Sequence, residues 1–266
     1  MLFGMPTLIE NRTLEESVVL CRELKLDFVE INMNLPQYQL PRINALEFER
    51  IGKEYEIFYT IHLDENLDIS DFNPYIAQGY LRTVAETIAL AKRLEIPVLN
   101  MHLSRGVYFT LPDQKVFLFD RYSQEYLKSI ESFRKLCEKE IGTSGIKICI
   151  ENCSGFTEFQ KKALHILLQS PVFGLTFDIG HDHSSGNVDK PLIIENEGRL
   201  CHMHMHDAVE KKNHLPLGTG EIDLGACLAL AEKHNCRVVL ETKTIEGLKQ
   251  SVKWLRATKA TSKPVF

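Results

Sequence analysis

The feature that most constrains this chain is an alternation. Short apolar runs recur at Leu2–Thr7, Asp27–Ile31, Glu56–His62, Pro97–His102, Ile146–Glu151, Gly174–Asp178, Leu200–Met205 and Arg237–Glu241. Stretches with helical spacing of apolar residues fill the gaps at Thr13–Lys25, Pro74–Leu94, Tyr122–Glu140, Thr157–Gln169, Gly225–His234 and Ile245–Lys259, with a less regular pattern at Val188–Asn196. The first of these opens on a capping-box pattern, Thr13-x-x-Glu16. Strand–helix alternation predicts parallel βαβ units. Eight such units match an α/β fold of the single (β/α)8 TIM barrel type, here one domain over residues 1–266. An open doubly wound sheet is the rival. It normally carries a glycine-rich turn after its first strand, where this chain has Gly4 alone.

Composition narrows the function classes. Apolar residues make up 44% and charged residues 25% of the 266, so the core needs no disulfide staples. The formal net charge is -5 and the Lys and Arg residues are scattered, which argues against a nucleic-acid partner. Seven Cys residues form an odd set without a C-x-x-C pair, as expected for free thiols in a reducing compartment. The N-terminus lacks a signal-peptide pattern, and no apolar run approaches membrane-spanning length. The expected location is the cytoplasm. Nothing in the chain speaks for or against a homo-oligomer.

In barrels of this kind the chemistry sits at the carboxyl ends of the strands. Those ends carry His62, His102, Glu151, Asp178, His204 and Glu241. Each taken singly reads as a cap or a loop hydrogen bond. Six together do not, because a carboxylate at the end of a buried strand is costly unless paired or metal-bound. The three carboxylates with one of the three imidazoles would make a mixed O/N set suited to Mn²⁺, Zn²⁺, Mg²⁺ or Co²⁺.

Five segments occur in order: Cys149-Ile-Glu-Asn152, Thr176-Phe-Asp-Ile-Gly-His181, Met203-His-Met-His-Asp207, Leu217-Gly-Thr-Gly-Glu-Ile-Asp223 and Leu240-Glu-Thr242. Together they resemble the xylose isomerase-like barrels, which include sugar and sugar-phosphate isomerases and epimerases and the type IV abasic-site endonucleases. The resemblance implies a divalent metal ion held by Glu151, Asp178, His204 and Glu241. It implies a substrate or second-metal role for His181, and places His62, His102 and His214 where the endonucleases hold further zinc. Two departures stand out. Lys212 occupies the position of an endonuclease Asp ligand, and Glu210 and Lys211 stand where the epimerases carry a substrate-binding Arg.

The resulting expectation is a metal-dependent isomerase or epimerase of a small carbohydrate or polyol, with one ion per chain, Mn²⁺ or Zn²⁺ foremost. Glu151 and Glu241 would move the proton through an enediolate, and His62, His102, His181 and His214 would contact substrate. The alternative is a zinc phosphodiesterase or abasic-site endonuclease with two or three ions. A third reading is a metal-bound fold without catalysis. Among the remaining candidates, His202 reads as a hydrogen-bonded core residue. His206 reads as a partner of a ligand or a loop contact. Asp182 and His183 read as loop residues. Gly218 and Gly220 form a tight turn rather than a P-loop. Cys153 reads as a buried inert thiol. Arg105, Lys243, Trp254 and the stretch from Ser104 to Phe119 are open candidates for substrate contact.

Overall fold

The computed structural model describes residues 1–261. Eight parallel strands close into a barrel in which each pairs with the next in sequence and the last with the first. They are β1 (Leu2–Pro6), β2 (Phe28–Asn32), β3 (Phe58–His62), β4 (Val98–His102), β5 (Lys147–Glu151), β6 (Phe173–Asp178), β7 (Leu200–Met205) and β8 (Arg237–Leu240). The helices outside them are α1 (Leu14–Glu23), α2 (Ala45–Tyr55), α3 (Pro74–Arg93), α4 (Ser123–Ile141), α5 (Glu158–Leu168), α6 (Lys190–Glu195), α7 (Leu224–Lys233) and α8 (Ile245–Thr261). The barrel expected from the alternation is the fold observed, and the open sheet is excluded by closure of β1 on β8. Residues 262–266 of the expected domain lie outside the described part.

Helix α2 is absent from the expected set. Its apolar face is short, Ala45, Phe48 and Ile51, but those three are spaced for a helix and all are buried. The capping box at α1 forms by half: Thr13 accepts from the Glu16 N–H at 3.1 Å, while the Glu16 carboxylate reaches the N–H of Arg12 at 2.6 Å. A reciprocal box does form at α5, between Thr157 and Gln160. Two hairpins rise from loops at the carboxyl end. One pairs Tyr108–Thr110 with Lys115–Phe117 after β4, and the other pairs Asp207–Val209 with Lys212–Leu215 after β7. No helix among the described residues is long and apolar enough to cross a membrane. All seven cysteines are free.

Inside, the barrel is layered from apolar to polar. Its floor is the Phe28 ring, which stacks on Phe58 with centroids 5.1 Å apart. Gly4 makes that possible, since a Cβ there would lie 2.5 Å from the Phe28 ring. Above the floor sits a buried polar layer of Glu30, Thr60, Asn100, Thr176 and His202. Buried polar groups of this kind are tolerated only when they bond one another. Thr60 Oγ1 donates to Glu30 Oε2 at 3.0 Å, and Thr176 Oγ1 donates to Asn100 Oδ1 at 2.6 Å. The strand ends that carry the functional candidates rest on this layer.

Candidate metal centre

Glu151, Asp178, His204 and Glu241 come together at the carboxyl ends of β5, β6, β7 and β8. One donor atom of each lies within 4.8 Å of the others, and all four residues are buried. His204 Nδ1 is the hub, 3.2 Å from Glu151 Oε1, 3.4 Å from Glu241 Oε2 and 3.9 Å from Asp178 Oδ2.

Each of the four is held from behind by a different neighbour. The Asn100 amide donates to Glu151 Oε2, leaving Oε1 toward the hub. His206 Nε2 lies 3.1 Å from Asp178 Oδ1, and the His181 N–H donates to the same oxygen at 2.7 Å. Glu30 Oε1 sits 2.8 Å from His204 Nε2. Lys243 Nζ donates to Glu241 Oε1 at 2.8 Å, while Glu241 Oε2 is buried without a hydrogen-bond partner. Such supports fix rotamers before any ligand arrives.

The electrostatics call for a cation at the hub. Burial alone would raise the Glu151 and Glu241 carboxyls, but the adjoining His204 imidazole outweighs it and holds both well below the ordinary range. Burial alone would lower His204, yet Glu151, Glu30 and Glu241 hold it well above its ordinary value. Without a metal the cluster therefore favours the doubly protonated, cationic form of the His204 ring. A divalent ion fits the same place: three carboxylates and one imidazole face it, and the orphaned Glu241 Oε2 gains a partner.

The remaining candidates surround this hub. His62, His102 and Glu151 form a second cluster of donors, with His62 Nε2 and His102 Nε2 at 3.4 and 3.1 Å from Glu151 Oε2. His62 Nδ1 lies 2.8 Å from the carbonyl of Leu63. A carbonyl only accepts, so Nδ1 carries the proton and a neutral His62 turns the Nε2 lone pair toward the centre. His181, His206 and His214 form a third cluster. There the His214 N–H donates to His206 Nδ1 at 2.8 Å. The proton of neutral His206 must then sit on Nε2, where it is donated to Asp178. His206 thus has no lone pair for an ion; it positions Asp178, the partner role among its two expected readings. Burial and the neighbouring His206 push His214 down to about 4, so it is neutral near pH 7.

Beside the hub opens a pocket of about 280 Å³ bordered by His102, Ser104, Arg105, Glu151, Cys153 and Phe156. The guanidinium of Arg105 is engaged by the Ser154 and Gly155 carbonyls at 2.8 and 2.5 Å, tying one loop to another. Cys153 is exposed, not buried as expected, although its thiol lines this pocket. Loss of solvent there and the charges of Glu151 and Asp178 push it up to about 11, which argues against a nucleophile. Lys243 borders a second cavity of about 140 Å³ with Thr7, Asn32 and Leu35.

The glycine turn holds an anion, but the anion is internal. Asp207 accepts from the N–H groups of Gly218 and Gly220 at 2.9 and 2.8 Å, and from Ala208 and Ile222 at 3.0 and 3.3 Å. Trp254 packs beneath it, with its indole 2.2 Å from where a Gly218 Cβ would be. Asp182 is likewise structural, accepting from the N–H groups of Asp189 and Lys190 at 2.9 and 3.0 Å, and His183 reaches Glu221 at 3.3 Å. Sequence reasoning passed over Glu30 and Asn100. Their signal was present: each is a polar residue within an apolar strand, two positions before another strand-end residue on the same face.

The chain belongs to the xylose isomerase-like TIM barrel family, whose profile matches residues 18–258. Among curated proteins it is 27% identical over 239 residues to the uncharacterized protein MJ1311 of Methanocaldococcus jannaschii, covering 84% of this chain and 76% of that one. Solved structures of the same fold include a D-tagatose 3-epimerase-like protein, with 23% identity, a TM-score of 0.80 and 98% of each chain covered. Another is the 3-keto-D-glucoside 4-epimerase YcjR of E. coli, with 16% identity, a TM-score of 0.78 and 97% of this chain and 99% of the other covered. The IOLI protein with a binding zinc atom matches at 18% identity and a TM-score of 0.75, over 100% of both chains.

Proposed function

We propose that this chain is a metal-dependent sugar epimerase or isomerase, acting as a single domain in the cytoplasm on a small carbohydrate or its phosphate. One observation carries the reading. Two carboxylates, Glu151 and Glu241, approach His204 Nδ1 from separate strands, and each has one oxygen secured from behind. Glu151, Asp178, His204 and Glu241 would hold the ion. A divalent ion bound there would act as a Lewis acid toward a substrate carbonyl and its neighbouring hydroxyl, acidifying the proton on the adjoining carbon. Glu151 would take that proton from one side and Glu241 would return one from the other, or the reverse. Both are held ionised at neutral pH, as a base must be. His62, His102, His181 and His214 line the approach and would hold substrate hydroxyls. The epimerase-like and zinc-binding relatives of the same fold support this reading.

A hydrolase reading is favoured by one observation, the His62 and His102 nitrogens aimed at Glu151 Oε2, which would suit a second ion. The His206 tautomer opposes a third ion at the remaining cluster. The test combines metal counting with turnover. Purified protein is expected to hold one ion per chain and to exchange a substrate C–H for deuterium from D₂O with one of a panel of ketoses and ketose phosphates. Nicking of an abasic DNA duplex, with two ions per chain and no carbohydrate turnover, would refute the proposal.

A further inference from the structure

Asp189 lies outside the metal cluster, yet it is a carboxylate only 1% exposed. A buried carboxylate is strongly disfavoured unless donors surround it. Main-chain groups supply them here: the Gly155 N–H donates to Oδ2 at 3.0 Å and the Phe156 N–H to Oδ1 at 2.7 Å. Both amides belong to the loop between β5 and α5.

The same loop is gripped from its other side. Arg105, in the loop after β4, donates from Nη2 to the carbonyls of Ser154 and Gly155 at 2.8 and 2.5 Å. The four bonds fall on two successive peptide units. The unit joining Ser154 to Gly155 gives its carbonyl to Arg105 and its N–H to Asp189, and the unit joining Gly155 to Phe156 does likewise. Each peptide dipole thus lies between a cation at its oxygen and an anion at its N–H, which is the orientation both charges favour. Gly155 has φ +89°, a backbone region where glycine moves freely, so a loop without these bonds would turn there. Asp189 is anchored in its turn, because its own N–H donates to Asp182 Oδ1 at 2.9 Å in the segment that follows Asp178. The loops after β4, β5 and β6 are thereby joined.

The gripped segment has a place in the site. Cys153, Ser154, Gly155 and Phe156 form one side of the 280 Å³ pocket that opens beside Glu151. We propose that Asp189 and Arg105 are positioning residues for substrate: together they clamp the loop after β5 as a fixed wall of that pocket. This rests on the epimerase reading above. A preset wall removes the cost of ordering the loop when a sugar binds, and it touches no reacting atom. Its loss therefore appears in KM and leaves kcat nearly unchanged.

The test compares D189N, R105M and the double variant with wild type. It reads amide hydrogen exchange at Gly155 and Phe156, KM and kcat for the sugar that is turned over, and the Zn²⁺ dissociation constant. D189N sets an NH₂ group against one of the two N–H donors. R105M is the sharper probe, since Arg105 bonds only carbonyls, yet exchange at the two neighbouring N–H groups should still rise. Both variants are expected to speed that exchange about 10-fold or more and to raise KM about 10-fold, the factor carried by one bond to a charged group. The kcat and the Zn²⁺ dissociation constant should stay within threefold of wild type. The double variant should add little to either single one, because both residues hold the same two peptide units. A merely structural role would speed exchange in the barrel strands as well and leave KM unchanged, which overturns the inference. Exchange at Gly155 and Phe156 within threefold of wild type in R105M overturns it too, and that variant carries the test if D189N does not fold. Exchange needs no substrate, so a protein that turns over no carbohydrate would overturn the epimerase reading and leave the clamp to be decided by exchange alone.

Discussion

Replacement of Gly180 by Ala tests how tightly the layer behind the candidate ligands is built. Gly180 lies in the short helical turn Ile179–Ser184 after β6, and the His206 ring packs directly on its Cα. A Cβ there would fall 2.0 Å from His206 Cε1. Carbon atoms need about 3.5 Å, so the ring would have to retreat by roughly 1.5 Å. His206 is fully buried and cannot swing into solvent. The retreat breaks its 3.1 Å contact to Asp178 and its 2.8 Å bond from the His214 N–H. Overpacking costs about 1–3 kcal/mol and each stranded buried polar group about 1–3 kcal/mol, whereas Ala in a helical turn returns about 1 kcal/mol. The clash wins, and the net loss should be about 2–4 kcal/mol. Urea unfolding reads the stability, and Zn²⁺ titration reads the loosening of Asp178 as a weaker dissociation constant. The control is the same substitution in a His206→Ala background, where the obstructing ring is gone and the penalty should fall below about 1 kcal/mol. An equal penalty in both backgrounds would refute the reasoning.

Three further outcomes follow from the same geometry. Asp207→Asn leaves one acceptor oxygen for amides that now share two; the expected loss is about 2–4 kcal/mol, with the 216–223 turn becoming a site of limited proteolysis, and a wild-type unfolding curve would contradict it. In the metal-free protein, burial alone would lower His62, but bonding and charge from Glu151 raise it to about 9, so the stability it contributes is complete below its unfolded value near 6.5 and is lost as the pH rises toward 9. His214, pushed down to about 4, acts on the other limb, where stability is lost as the pH falls from 6.5 toward 4; melting temperatures across pH 4–9 should therefore peak between the limbs, and a steady climb to pH 9 would contradict the His62 part. Zn²⁺ or Mn²⁺ at 100 times its dissociation constant should add about 2.7 kcal/mol of stability, or roughly 5–10 °C in melting temperature, reversed by EDTA; no shift with either ion would contradict a metal centre here.

Much of this was legible in the residues. Short apolar runs alternating with helical spacing state which segments are strands, and a buried parallel sheet with helices outside is the arrangement that satisfies them. Glu151, Asp178, His204 and Glu241 stood out because each ends such a run, and His62 and His102 for the same reason. Helix α2 escaped because its apolar face is only three residues long. Gly218 and Gly220 read as a tight turn, but nothing in the sequence announced that Asp207 accepts from their N–H groups.

What the sequence by itself determined is the barrel and the inventory of donors at its carboxyl end, since both follow from local periodicity and from residue type. What only the tertiary structure decided is which atom of each donor faces inward. That choice depends on hydrogen bonds between residues far apart in the chain, such as His202 and Glu30, which are separated by 172 positions. The proton position on His206 follows from the His214 N–H, and no local pattern announces it. Closure of the eight strands brings β2 within side-chain reach of β7 and so sets a glutamate of an apolar strand beside His202 and His204.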